Sequence, residues 1–223
     1  MSTSGTNLWR PDIETVIVEG YERCEVDAQI LTGYQARAAR RSLNLMFADW
    51  ATRGINYWKT SEKTLDLVKS QIVYQLPEGT LDILSAVMRR SDTDTDMERI
   101  SLTDYNALPT KSSEGLPTTY FFDRQYIPQI YLWLVPENST DKFIYWSLDQ
   151  IQDVAGSDED PDVPYRWNDA LCAGLAARLS TKIKGLPAQK RLELKADAIE
   201  AFDHVGGDEG ERATFRIIPT SIL

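Results

Sequence analysis

Residues 115–137 read GLPTTYFFDRQYIPQIYLWLVPE, two apolar runs on either side of a short polar turn. A strand with one face in water alternates apolar with polar residues. Here Ile130-Tyr131-Leu132-Trp133-Leu134-Val135 is apolar on both faces, and Tyr120, Phe121, Phe122 and Tyr126 add further rings. The stretch predicts a β-hairpin whose second face needs a cover, supplied either by helices of the same chain or by a neighbouring subunit. If the second face is left open, Tyr120, Phe122, Tyr131, Trp133, Tyr145 and Trp146 are the candidate interface residues, because a contiguous exposed aromatic patch marks a protein contact.

The hairpin belongs to a longer strand-rich region. From Asn56 to about Leu148 the sequence runs through INYWKTS, QIVYQLP, DILSAVMRR, ERISL, TTYFFDR, QIYLWLVP and KFIYWSL, separated by turns such as Pro77-Glu78-Gly79 and Pro136-Glu137-Asn138. Short alternating runs with such punctuation predict an antiparallel sandwich or a partly open barrel. On both sides the periodicity becomes helical. In LTGYQARAARRSLNLMFADWATRG, Thr32 and Gln35 have capping-box spacing, Ala36, Ala39, Leu43, Met46, Phe47 and Trp50 form one apolar stripe, and Gly54 ends the run. The preceding PDIETVIVEGYERC opens with Pro11 and acids, which favour a helix, while its β-branched residues oppose one.

After the acidic loop DVAGSDEDPD comes PYRWNDALCAGLAARLSTKIKG, a helix with Pro164 near its first turn, a small-residue face of Ala170, Ala173, Gly174 and Ala177, and Lys182, Lys184 and Gly185 at its end. Pro187 opens a second helix carrying Leu194, Ala198, Ala201 and Val205, closed by Gly206-Gly207. The expected class is α+β: residues 1–55 and 151–207 as two parts of a helical bundle, 56–150 as an inserted β domain, and 208–223 as an extended C-terminal tail.

Composition narrows the function. Acidic residues outnumber basic ones 34 to 24, giving a net charge of -10, the wrong sign for a protein that grips phosphate backbones. The segment MSTSGTNLWRPD has neither the basic nor the apolar region of a signal peptide, and no apolar run reaches membrane-spanning length. Cys24 and Cys172 lie far apart inside helical patterns, as buried thiols of a reducing compartment do.

No reaction centre is assembled by motif. The single histidine, His204, sits in the last turn of a helix, where a cation complements the carbonyl ends. Asp92, Asp94 and Asp96 open like a calcium loop, but Met97 and Thr103 stand where glycine and glutamate belong. Asp158, Asp160 and Asp162 fail in the same way at Val163 and Asp169. No catalytic, metal or cofactor site is expected. A carboxylate pair acting as a cell-wall hydrolase is the enzymatic alternative, and it rests on acids alone. Lys182, Lys184, Lys190 and Arg191, at the tip of the helical hairpin, form the candidate contact for DNA or an acidic partner, against the plain reading of cations on a helix end.

The tail DEGERATFRIIPTSIL carries Phe215, Ile217, Ile218, Pro219, Ile222 and Leu223 after a double glycine. Ordering its last eleven residues costs about 1 to 2 kcal/mol each, and burying its large apolar side chains returns about 1.5 to 3 kcal/mol each. The two nearly cancel, so the tail is expected to dock only with added backbone pairing or with many copies acting together.

Four segments, RRSLNLMFADWATRGINYW, YQLPEGTLDILSAVMRR, ISLTDYNALPTKSSEGLPTTYFFDRQYIPQIYLWLVPE and DVPYRWNDALCAGLAARLSTKI, taken in this order, resemble the head-to-tail adaptors of short-tailed bacteriophages, the family that includes tail tubular protein A and the packaged-DNA stabilisation proteins. The resemblance implies a non-enzymatic virion protein of the head-tail neck, assembled in the host cytoplasm as a ring of twelve copies beneath the portal protein. It implies a channel for double-stranded DNA with weak contact, retention of the packaged genome, and a platform for the tail nozzle protein. It also implies that the C-terminal residues named above dock on the portal. Another tail completion protein is the remaining alternative.

Overall fold

The computed structural model describes Gly5, residues 9–54 and residues 57–207. The tail residues 208–223, including Phe215, Ile217, Ile218, Pro219, Ile222 and Leu223, lie outside the described residues. Those described divide into two compact units, one within Met1–Met46 and Val154–Leu223, the other within Phe47–Asp153. The architecture is mixed α+β, as expected, with a helical unit and a two-sheet unit.

The helical unit is organised around α4 (Asn168–Ser180), whose Ala170, Leu171, Cys172, Ala173, Leu175, Ala176 and Leu179 are all buried. A helix apolar on every side must have neighbours on every side. One neighbour is α1 (Ile13–Arg23), capped by Asp12, whose carboxylate accepts from Thr15 N at 2.7 Å. Hydrogen bonds from Thr15 hold that carboxyl below its ordinary value. Its β-branched residues oppose a helix in isolation, yet Ile13, Val16 and Ile17 are buried, and packing overrides propensity. Gly20 lets α1 approach α4 closely, since a Cβ there would meet Leu175 Cδ2 at 3.0 Å.

The second neighbour is the first part of α2 (Gly33–Thr52). Its capping box forms as the sequence predicts, with Thr32 N donating to Gln35 Oε1 at 2.8 Å and Gln35 N to Thr32 Oγ1 at 3.3 Å. A Cβ on Gly174 of α4 would lie 2.5 Å from Met46 Sδ. The third is α5 (Ala188–Gly206), reached through Gly185 at φ 83°. It buries Leu194 and sets Phe202 edge-on against Trp167, with ring centroids 5.6 Å apart. The acidic loop before α4 is stitched to α1 and α2: Ile13 N and Glu14 N donate to the Glu159 and Ser157 carbonyls, and Asn44 exchanges two hydrogen bonds with Val154.

Among the described residues the second unit holds ten strands. β1 (Thr60–Asp66), β10 (Lys142–Asp149), β3 (Thr80–Arg90) and β4 (Thr93–Asp96) make one sheet in that order, all antiparallel. β2 (Val73–Gln75), β8 (Gln129–Trp133), β7 (Thr119–Asp123) and β5 (Glu98–Ile100) make the other, with β5 parallel to β7. Two-residue strands β6 (Glu114–Gly115) and β9 (Val135–Pro136) pair separately. Both four-stranded sheets send side chains into one core, Ile83, Met88, Phe143 and Tyr145 from the first, Tyr74, Tyr120, Phe122, Ile130 and Leu132 from the second. Neither sheet closes on itself. Of the two forms expected, the unit is therefore an open sandwich. The sequence expectation of a strand at INYWKTS is corrected: Tyr57–Lys59 is a 3-10 turn and β1 begins at Thr60.

Register answers the question of the hairpin's second face. Tyr120 pairs with Leu132 and Phe122 with Ile130 on the inward face, while Phe121 pairs with Tyr131 and Thr119 with Trp133 on the outward face. The outward rings are covered by the unit's own chain. Helix α3 (Leu102–Ala107), capped by Ser101, sets the buried Tyr105 on Phe121 at 6.0 Å and on Tyr131 at 5.5 Å between centroids. Trp133 Nε1 donates to the Thr110 carbonyl at 3.1 Å, and Lys111 Nζ lies 5.3 Å from the Tyr105 ring. Truncating Tyr105→Ala is expected to cost about 2 kcal/mol, because its half-buried neighbours can partly collapse over the gap. Urea unfolding of the variant beside Tyr105→Phe measures this, and an unchanged midpoint would mean that α3 is not a structural cover.

Candidate assembly surfaces

The six aromatic residues expected at an interface separate into two groups. Tyr120, Phe122 and Tyr145 are 2%, 4% and 2% exposed, inside the sandwich core, which corrects their assignment to a contact surface. Burial, with the Asp149 carboxylate as a smaller cause, pushes the Tyr145 phenol up to about 12, and burial likewise raises Tyr120. Tyr131 and Trp133 are half-buried beneath the α3 segment. Trp146 alone is exposed, at 45%. It stands at a register shift in the β3 and β10 pairing, where Trp146 faces Ser85 and Ser147 faces Ile83, leaving Leu84 as the extra residue. A bulge of this kind re-aims one side chain, and Leu84 is exposed beside the shift. No pattern in the sequence marked Leu84.

The exposed apolar residues missed by sequence lie on both units. Trp9 and Tyr165 meet edge-to-face at 6.5 Å, both largely in solvent. Tyr34 and Leu45 of α2 and Leu192 and Ile199 of α5 are exposed as well. Their signal was available only as surplus: each helix has more apolar residues than the stripe it packs with. On the sandwich, Tyr126 projects from the β7 to β8 turn.

Of the four candidate cations, three serve contacts within their own unit. Lys182 Nζ donates to the Ala38 carbonyl at 3.1 Å and to Ser42 Oγ at 2.5 Å, clamping the end of α4 to α2. Burial, with Arg41 and Arg178 nearby, lowers its pKa. Lys190 lies 3.5 Å from Glu25 Oε1, and Arg191 donates to the Ile183 carbonyl at 3.4 Å. Lys184 is exposed. These placements fit the plain reading of the cluster as helix-end chemistry.

The first acidic motif is likewise taken up by its own hairpin. Ser91 and Asp92, at φ 49° and 63°, form the two-residue turn between β3 and β4, a conformation that aspartate tolerates. Asp94 is gripped through both oxygens by Arg89, at 2.6 and 2.7 Å, which holds its carboxyl below the ordinary range. Among the described residues no group of acids, histidines and cysteines is arranged to hold a metal ion. Cys24 and Cys172 are free and buried, and burial pushes both thiols up to about 11. His204 is exposed near the end of α5.

Exposed apolar residues on otherwise well-packed units are the marks of a protein that works through contacts. The SU10 adaptor protein family model matches residues 23–216, spanning α2 to α5 and every strand between them. The chain belongs to the SU10 adaptor protein family, and is a structural adaptor of a phage virion. A comparison with curated proteins found no match.

Proposed function

We propose that this adaptor forms a ring at the head-to-tail junction, where it docks on the portal protein, extends the DNA channel, helps to retain packaged DNA and seats the tail nozzle. The observation that carries this reading is the family match over residues 23–216. It acts by assembly and not by catalysis. Twelve copies is the stoichiometry that the likeness to short-tailed phage adaptors implies. The net charge of -10 supports a channel through which duplex DNA slides with weak contact, since like charges keep the phosphates off the protein. The docking segment is the apolar tail, Phe215, Ile217, Ile218, Pro219, Ile222 and Leu223.

The test is to mix the purified protein with its portal and image the product. Full-length chain is expected to give a large ring complex, and chain truncated after Gly210 is expected to keep its circular dichroism and melting curve while losing the complex. A full-length protein that stays monomeric beside the portal would overturn the reading. A truncation that unfolds the chain would remove the tail from the docking role and place it in the core.

A further inference from the structure

We propose that residues 101–112 form a strap that lifts off the outward face of the β7 and β8 hairpin while the sandwich beneath stays folded, with Tyr105 as its latch. Strap opening belongs to the sandwich unit alone and does not require a ring.

The strap is pinned at both ends. Before it, β5 is laddered to β7, with Ile100 beside Phe121. After it, β6 is laddered to β9, and Val135 N donates to the Ser113 carbonyl at 2.9 Å. Ser70 Oγ donates to Glu114 at 2.6 Å, and Gly115 is held so closely that a Cβ there would lie 2.6 Å from Leu134 Cδ1. A chain held at both ends has less conformational freedom to lose on reclosing than a free one.

Between the pins the hold is slight. Of residues 101–112 only Tyr105 is buried; Leu108 and Lys111 are half-buried and the others are exposed. Most of the polar contacts are the strap's own: Tyr105 N donates to the Ser101 carbonyl at 2.9 Å, Asp104 N to Ser101 Oγ at 3.1 Å and Lys111 Nζ to the Asn106 carbonyl at 3.5 Å. Among the described residues, one hydrogen bond joins the strap to the strands it covers, from Trp133 Nε1 to the Thr110 carbonyl at 3.1 Å. A helix of six residues has no stability of its own in water. It lasts only while the Tyr105 ring lies on Phe121 and Tyr131, so release of the ring and loss of the helix are one step.

Register separates that step from global unfolding. Tyr120, Phe122, Ile130 and Leu132 face the core, whereas Phe121, Tyr131 and Trp133 lie on the other side of the same strands. Lifting the strap uncovers the second set and leaves the first in place. Local openings of this kind have free energies below the global one. The strap thus decides whether the outward face of the hairpin meets solvent as polar chain or as three rings.

Amide exchange of the full-length chain, followed by NMR at several urea concentrations below the unfolding midpoint, tests this. The hydrogen-bonded amides of Asp104, Tyr105 and Leu108 are expected to exchange about a hundredfold or more faster than those of Leu76 and Leu132, which donate to the Pro128 and Ile72 carbonyls, and with a weaker dependence on urea. Ile130→Val trims the core on the side away from the strap. It is expected to speed the Leu76 and Leu132 amides about fivefold and to leave the strap amides unchanged, because open and closed forms share that core. Tyr105→Ala is expected to speed the strap amides about thirtyfold. Strap amides that match Leu132 in rate and urea slope, or that accelerate in Ile130→Val, would make the strap an inseparable part of the sandwich and overturn the proposal. So would exchange at the free-chain rate in the parent, which would mean no closed strap, or strap amides unmoved by Tyr105→Ala, which would mean no latch.

Discussion

Asp141→Asn is expected to destabilise the sandwich unit by about 3 kcal/mol, at the low end of what breaking a buried ion pair costs. The Asp141 carboxylate is 0% exposed, and Arg90 reaches both its oxygens, Nε to Oδ1 at 2.9 Å and Nη2 to Oδ2 at 2.6 Å. Arg90 also donates to Glu137 at 2.7 Å. Asparagine keeps the volume but turns one acceptor into a donor that faces the guanidinium. The arginine is 33% exposed, so water and Glu137 recover part of the loss, which sets the lower figure. Urea unfolding measures it. Replacing both partners, Arg90→Met with Asp141→Leu, is expected to cost less than the single change, since an apolar pair leaves no buried charge alone. A single-variant loss below about 1 kcal/mol would show that the pair is not structural.

Trp167→Ala is expected to cost about 3 to 5 kcal/mol in the helical unit. Trp167 is 0% exposed and stands in the 3-10 turn that leads into α4, with the Phe202 ring of α5 edge-on against it. Removing the indole empties the junction between the two helices. Phe202→Ala is expected to cost less, because Phe202 is only half-buried, and Trp167→Phe is expected to keep much of the contact. Thermal unfolding followed by far-ultraviolet circular dichroism, which weights helix over strand, reports on this unit. A melting curve unchanged in Trp167→Ala would mean that α5 is held by Leu194 and its neighbours alone.

Local rules wrote much of this fold into the sequence. The Thr32 and Gln35 box and the Gly185 and Pro187 break are short-range physics, and each appears in the structure. What stayed hidden was non-local. The segment SLTDYNALPTKSSEG is polar and yields a helix of only six residues, too short to show a hydrophobic period, yet it places Tyr105 over the outward rings of the hairpin. The surplus of aromatic residues was legible; which part of the chain covered it was not. The same holds for the surfaces. Leu194, Ala198, Ala201 and Val205 stood out at helical spacing, whereas Leu192 and Ile199 gain meaning only once the packed side of α5 is known. For α1, the β-branched residues spoke against a helix until α4 supplied a surface for a helix to bury Val16 and Ile17 against.

The sheet order has a consequence for crowding. Of the four lateral margins of the sandwich, three are strands of three or four residues, β2, β4 and β5. β4 is solvent-exposed throughout and carries Asp94 and Asp96. An unpaired margin is a template on which a sister molecule can continue the ladder, and brevity and negative charge discourage it. Copies brought close together can thus lie shoulder to shoulder without their sandwiches fusing into an endless fibre.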